Sequence, residues 1–521
     1  MKSSYDIAVL GAGFGGSLFA ACAAALGFSV LLLERSQHPR FAIGESTSPL
    51  ANLVLEEIAQ TYGLRELLPL TSYGTWKQFL PDLTCGLKRG FTYYSHPLNA
   101  CRRSGRENEL LVAASPCNEM ADMHWMRDEV DAFFCDVAVS RDVAYFDRAN
   151  ASLKQCDDGW NIRVQTPEFS ECTHAQLVVD ASGPRGNIAK SLDMPQQSFA
   201  ALPNTTAVYS HFKDVALVCA QPPRGAPYPP DWAAVHHIFP GGWIWSLRFD
   251  NGIVSAGAVI TEAFKREHLS AVSPADTWAE VLGMLPEVKR LFHDATTVRT
   301  FTMVDKLAWR AQAAAGAGWA MLPSAAASID PLFSTGIPLT LLGIQRLLNI
   351  IDKEGLQADL AAYSSVTLDE ADCTAALVGG CYRTMHDMRL FGPLTMLYFA
   401  GVSFAETARR VGRSDLANGF MSLDRSQFRT EMLELLENLD GYCHGGDGAN
   451  RLADDIARII APINVAGLAQ AQKRNWYGVD LNDIVDHAFK LNYSCMEMRQ
   501  ILDAADWANG CPKNSREVAA N

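Results

Sequence analysis

The chain has 521 residues, of which 48% are hydrophobic and 20% charged, enough material for a large core and too much for one simple unit. Forty-four basic residues against 58 acidic ones leave a formal charge of -14 and a pI near 5.3, which argues against a nucleic-acid partner because phosphate binding needs a basic face. The 13 cysteines are scattered, with neither paired CxxC nor zinc-finger spacing. They predict reduced, buried thiols, a cytoplasmic protein and no metal site.

Met1-Lys2-Ser3-Ser4 passes directly into an apolar segment, so no signal peptide is expected. Residues 5–10 predict a buried strand, 11–16 a glycine turn, 17–26 an Ala-rich helix and 28–33 a second strand, a βαβ unit. The turn reads Gly11-x-Gly13-x-x-Gly16. Small residues there let the backbone approach a pyrophosphate at a helix N-terminus. Glu34, at the end of the second strand, suits ribose hydroxyls and disfavours a 2′-phosphate.

Further along, residues 124–139 carry a helical stripe with Arg127, Asp128 and Asp131 on or beside its polar face. Residues 177–180 predict a buried strand ending in Asp180, as in a flavin domain interrupted by a large insertion. No second Gly-x-Gly-x-x-Gly follows, so reducing power is expected from another protein. Residues 85–115 and 200–310 alternate like antiparallel sheet, and five prolines between Gln221 and Asp231 mark a surface loop. Residues 319–322 predict a strand and 337–351 a helix. Beyond 351 the pattern is mostly helical, with a glycine-rich loop at 441–448. The apolar run 390–404 is shorter than a membrane span and contains Gly392, Pro393 and Gly401, which predicts a buried helix pair.

Five blocks in order over roughly residues 5–410 resemble the flavin-dependent halogenases, the phenol and pyrrole branch more than the tryptophan branch. They are His38-Pro39-Arg40-Phe41 with Gly44-Glu45-Ser46-Thr47, Cys85-Gly86-Leu87-Lys88-Arg89-Gly90-Phe91, Arg127-x-x-Val130-Asp131, His236-His237-Ile238-Phe239 leading into Gly242-Trp243-Ile244-Trp245, and Ile329-Asp330-Pro331-Leu332-Phe333-Ser334-Thr335-Gly336.

The resemblance implies an α/β fold: a Rossmann-like FAD-binding domain of GR2 type over residues 1–350, interleaved with a substrate-side β-sheet at about 85–115 and 200–310, and a helical C-terminal region at 351–521. It implies FAD, used as FADH2, held by Gly11, Gly13, Gly16, Glu34, Arg40, Ser46, Thr47, Arg127, Asp180 and Asp330. Residues 44–47 resemble a strap over the isoalloxazine. Ser334, Thr335 and Gly336 resemble a turn whose amides hold chloride or bromide. Lys88 matches the lysine that receives hypohalous acid through a tunnel walled by Trp243, Trp245, Arg248 and Phe333, and directs it to an aromatic ring. A desolvated ammonium suits that role.

Three departures shape the expectation. The family usually continues Trp-x-Trp-x-Ile-Pro, whereas this chain has Ser246-Leu247-Arg248 after Trp245, predicting a charge near the flavin side of the motif. Ser324-Ala325-Ala326-Ala327-Ser328 stands where many members have a glycine. Phe333 replaces the glutamate of tryptophan-type members, which favours an electron-rich phenol or pyrrole, free or carrier-bound, with a separate flavin reductase. The alternatives are an FAD monooxygenase or dehydrogenase on the same scaffold, and a non-catalytic flavin-binding protein. His96, His236 and His237 are assigned no catalytic role.

Overall fold

The computed structural model describes residues 1–102, 105–184, 186–351, 356–443 and 447–504. Strand β1 (Ser4–Leu10), helix α1 (Phe14–Ala25) and strand β2 (Val30–Leu33) form the first unit. Helix α2 (Pro49–Thr61) follows, then strands β3 (Cys85–Lys88), β4 (Gly90–Ser95), β5 (Glu109–Ala113) and β6 (Asp122–Trp125), and helix α3 (Arg127–Val139). Next come β7 (Ala144–Phe146), the hairpin β8 (Asn150–Cys156) and β9 (Gly159–Gln165), and β10 (Ser170–Asp180).

Strands β7, β2, β1 and β10 pair in parallel, and Trp319–Met321 adds a further parallel strand beside β10. The four residues of β2 are all buried, as are the last four of β1 and of β10, as expected for a sheet covered on both faces. This sheet delivers the ends of β1, β2 and β10 to one edge, where ligands of open α/β sheets bind.

A second sheet packs beyond it. Strands β11 (Thr205–Lys213), β12 (Ala234–Phe239), β13 (Gly242–Arg248) and β14 (Val254–Thr261) join β4 and β5 in the order β11-β14-β13-β12-β4-β5. Most pairs are antiparallel, but β12 runs parallel to β4. The short ladder β3–β6 stands apart from this sheet.

The helical part contains α4 (Gly336–Ile351), α5 (Leu356–Thr384) and α6 (Met388–Arg410). The apolar run at 390–404 is a single helix rather than the expected pair, and Pro393 lies within it. By length and composition α6 could cross a membrane, but 78% of its apolar window is buried in this core. The C-terminal region is not purely helical: Trp476–Tyr477 pairs in parallel with β5 and extends the second sheet. Residues 444–446 of the glycine-rich loop lie outside the described residues. The expected helix at 124–139 starts later, because His124 and Trp125 belong to β6. Free thiols are in part exposed, as at Cys101, Cys172 and Cys495, and Cys117 is disulfide-bonded. Both findings correct the expectation of uniformly reduced and buried cysteines.

Candidate active site

The crevice at the strand ends begins with the glycine turn. Gly11 has φ +98°, and a Cβ there would lie 2.7 Å from the Ala181 carbonyl oxygen; a Cβ on Gly16 would lie 1.9 Å from the Gly11 oxygen. Only glycine permits this approach. The Ala12 N–H donates to Glu34 Oε2 at 2.9 Å, and the Phe14 N–H donates to Asp131 Oδ1 at 3.2 Å. Burial pushes the Glu34 pKa up, but the Arg40 charge and hydrogen bonds from Ser36, Ala12 and Arg40 outweigh it and leave the carboxyl below its usual value.

Arg127 forms a bidentate pair with Asp131 (2.8 and 3.0 Å) and donates through Nη1 to the Ile43 and Gly44 carbonyls. Arg40 bridges Glu34 and Asp131. Glu34, Arg40 and Arg127 border a cavity of about 520 Å³, also lined by Gly13, Ala181, Ser182 and Ser324. Its size is that of a cofactor site. The glycine backbone, the start of α1, two guanidiniums and Glu34 fit the pyrophosphate and ribose of an adenine dinucleotide. Asp180 does not line this cavity. It is fully buried and accepts from Ser182 N, Ser182 Oγ and Ile188 N, so it shapes the turn that does.

The strap at 44–47 is pinned to β6. Ser46 bridges to His124, Thr47 N donates to the Met123 carbonyl at 3.1 Å, and Trp125 N donates to the Glu45 carbonyl at 2.6 Å. The Glu45 carboxylate pairs with buried His211 at 2.8 Å. Lys88, at the end of β3, is completely buried; its ammonium donates to the Thr47 carbonyl and sits 3.9 Å from the Phe91 ring centroid. Burial lowers the Lys88 pKa, and Asp122 opposes that shift. Strap and lysine are thus in direct contact.

Beside them β13 places Trp243 and Trp245 on one face, with ring centroids 5.9 Å apart. Trp243 Nε1 donates to Asp330 Oδ1 at 3.2 Å, Tyr382 donates to Oδ2 at 2.7 Å, and Leu332 N donates to Oδ1 at 3.1 Å. Burial pushes the Asp330 pKa up to about 6 against these three bonds. Asp330 therefore ties the tryptophan wall to the 330–336 turn. In that turn Ser334 takes the left-handed conformation at φ 55°, and α4 begins at Gly336. Among the described residues the Thr335 and Gly336 amides donate to no backbone carbonyl, the usual state of a helix start. They line a cavity of about 40 Å³ that shares Ser324 with the larger crevice. Glu370, also on this small cavity, is neutralised by a bidentate pair with Arg346.

Phe333 is buried and stacks on Tyr398 with centroids 4.6 Å apart. Tyr398 and Phe399 in turn line a third cavity of about 140 Å³ with Phe91, Asp122 and Asn52. Ala466, Leu468, Tyr477 and Ile484 also line it. Neither Asn52 nor Asp122 stood out in the sequence; the available signal was an acidic residue at the head of a four-residue strand that continues Met123-His124-Trp125.

Arg248 was expected on the tunnel wall. Its guanidinium instead donates to Asp231 at 3.1 Å and to the Val215 and Ala216 carbonyls. It anchors the proline-rich loop, because it follows Leu247 and so projects from the face of β13 opposite to the tryptophans. Arg248→Ala will lower stability by about 1–3 kcal/mol, the cost of leaving buried Asp231 short of a partner, with FAD retention and product formation unchanged. Thermal melts alongside turnover check this.

Four histidines around the site are buried. Burial lowers His96 and His236 to about 3, and drives His124 and His237 well below their usual value. Each stays neutral in the fold but binds a proton near pH 6.5 once unfolded. Between about pH 3 and 6.5 the unfolded chain therefore holds more protons, and stability rises with pH. Acidification from pH 7 to 5 will cost up to about 1.4 kcal/mol per pH unit for each such histidine. The melting temperature over that range and the proton uptake on unfolding measure it.

The family model described as tryptophan halogenase matches residues 80–387, and that of an NAD(P)-binding Rossmann-like domain matches residues 9–83. Monodechloroaminopyrrolnitrin halogenase PrnC of Pseudomonas fluorescens is 27% identical over 77% of this chain and 71% of its own length. Tetracycline 7-halogenase of Kitasatospora aureofaciens is 27% identical over 64% of this chain and 61% of its own length. The crystal structure of halogenase PltM with phloroglucinol and FAD superposes with a TM-score of 0.81 at 21% identity, covering 90% of this chain and 99% of that one.

Proposed function

For a chain that belongs to the tryptophan halogenase family, and is thereby a flavin-dependent enzyme, we propose halogenation of an electron-rich phenol or pyrrole by hypohalous acid guided to Lys88. The observation that carries this reading is the position of Lys88: buried, against the strap on one side and the Phe91 ring on the other. An idle lysine belongs in solvent. Bound FAD, delivered reduced by a separate reductase, supplies with oxygen the oxidising equivalents for converting halide to hypohalous acid. In this reading the Thr335 and Gly336 amides hold the halide, and Ser334 shapes the turn. Trp243 and Trp245 keep the aromatic substrate from the flavin. Lys88 donates a hydrogen bond to the oxidant and aims it at the ring.

The placement of Arg248 supports halogenation over a monooxygenase, since the charge of the altered motif is bound in a loop anchor. A free small arene is favoured by the 140 Å³ cavity, with carrier-bound delivery as the finer question. The test is turnover of reduced FAD, oxygen and a panel of phenols and pyrroles with and without bromide. Brominated products that require bromide support the proposal; hydroxylated products without halide would replace it with a monooxygenase.

A further inference from the structure

One residue lining the 140 Å³ cavity carries an oxygen that the protein leaves unsatisfied. Asp122 is directly opposite Lys88 in the β3–β6 ladder, so both side chains project from the same face. Asp122 is 2% exposed. Its Oδ1 accepts from Asn52 Nδ2 at 2.9 Å, while Oδ2 has no hydrogen-bond partner, and neither has Asn52 Oδ1. Lys88 donates to the Thr47 carbonyl rather than closing on Asp122.

The other carboxylates at this cavity are engaged. Glu406 accepts from Arg410 Nε at 2.6 Å, and Asp480 accepts from the Asn482 N–H at 2.9 Å. The Tyr398 hydroxyl is also committed, donating to the Phe333 carbonyl at 2.9 Å. Buried polar atoms in folded proteins are paired, so an unpaired buried oxygen on a residue of the cavity wall leaves a place for a donor that arrives with the ligand. The rings of Phe91, Tyr398 and Phe399 shape the remaining space for a planar occupant.

Building on the halogenase reading, we infer that Asp122 Oδ2 accepts a hydrogen bond from the substrate's own O–H or N–H, which places the ring beside Lys88 and selects arenes bearing such a donor. A phenolic O–H pointing at a carboxylate also feeds electron density into its ring, the property electrophilic attack needs. Asp122 is thus a specificity-determining residue, and Asn52 positions it.

Calorimetric titration of the protein loaded with oxidised FAD, using phenol against anisole and pyrrole against N-methylpyrrole, tests this. At about pH 9, above the value of about 8 to which burial pushes the Asp122 carboxyl, the wild type will prefer each donor-bearing ring about tenfold to hundredfold over its methylated analogue, the range of a hydrogen bond to a charged group. Asp122→Ala will bind both members of each pair alike. Asp122→Asn, which keeps an acceptor and the side-chain shape, will retain part of the preference, and equal FAD content will show that the folds are intact. Should the alanine variant not retain FAD, the asparagine variant decides, with a preference reduced severalfold. Equal or undetectable binding of both analogues by the wild type, or an undiminished preference in the variants, would overturn the inference. No halide or reduced flavin is needed, so an enzyme that hydroxylates instead of halogenating still gives a decisive answer here.

Discussion

Lys88→Ala will lower the yield of halogenated product by about 10²–10⁴-fold, the range for loss of a group that handles protons or hydrogen bonds at the reacting atoms. Oxidation of reduced FAD and oxygen consumption will persist, because the 520 Å³ crevice and the 334–336 turn do not include Lys88. Oxidant formed without the lysine will escape, so a dye-detected hypohalite signal will rise as product falls. Lys88→Met, close in length and shape, separates loss of the ammonium from loss of packing against Phe91 and will fail equally. Lys88→Arg will not rescue, since the planar guanidinium is broader than an ammonium and cannot give up its charge in a fully buried site.

Gly16→Ala will lower FAD affinity by about a hundredfold, as expected when a binding turn is forced aside by an ångström. The added methyl would stand 1.9 Å from the Gly11 oxygen and 2.9 Å from the Ala181 Cβ, so β1, the turn and the 181–184 segment must separate. Overpacking of this kind also costs about 1–3 kcal/mol of stability. Gly283→Ala is the silent control: a Cβ there meets nothing within 4 Å. Flavin absorbance after gel filtration and a melting curve read both effects.

The dinucleotide turn was legible because its chemistry is backbone chemistry, written in contiguous residues. Glu34 was legible for the same reason, falling immediately after a strand of four apolar residues. Lys88 became visible only through the resemblance, since one lysine among 44 basic residues has no distinguishing local pattern. The Lys88–Asp122 opposition could not be read at all. It depends on the register of two short strands 34 positions apart, which neither strand's sequence encodes by itself.

Other expectations were altered by tertiary partners. Asp180 and Asp330 were assigned to the cofactor from their places in motifs, but both are occupied by donors of the protein, Ser182 and Ile188 in one case, Trp243 and Tyr382 in the other. Arg248 looked like an intruding charge until the loop partners Asp231, Val215 and Ala216 were seen. The added strand Trp476–Tyr477 is two residues long, too short for any periodicity to announce it. Strand β11 lies where antiparallel sheet was expected, although it is buried at eight of its nine positions.

The central claim is that oxidant passes from the flavin crevice to Lys88 without leaving the protein. Bromination of a phenol by the wild type, run with bromide and reduced FAD in the presence of excess free methionine as hypohalite scavenger, tests it most directly. Product yield and regiochemistry will be unchanged by the scavenger. Loss of product to the scavenger in the wild type would contradict it.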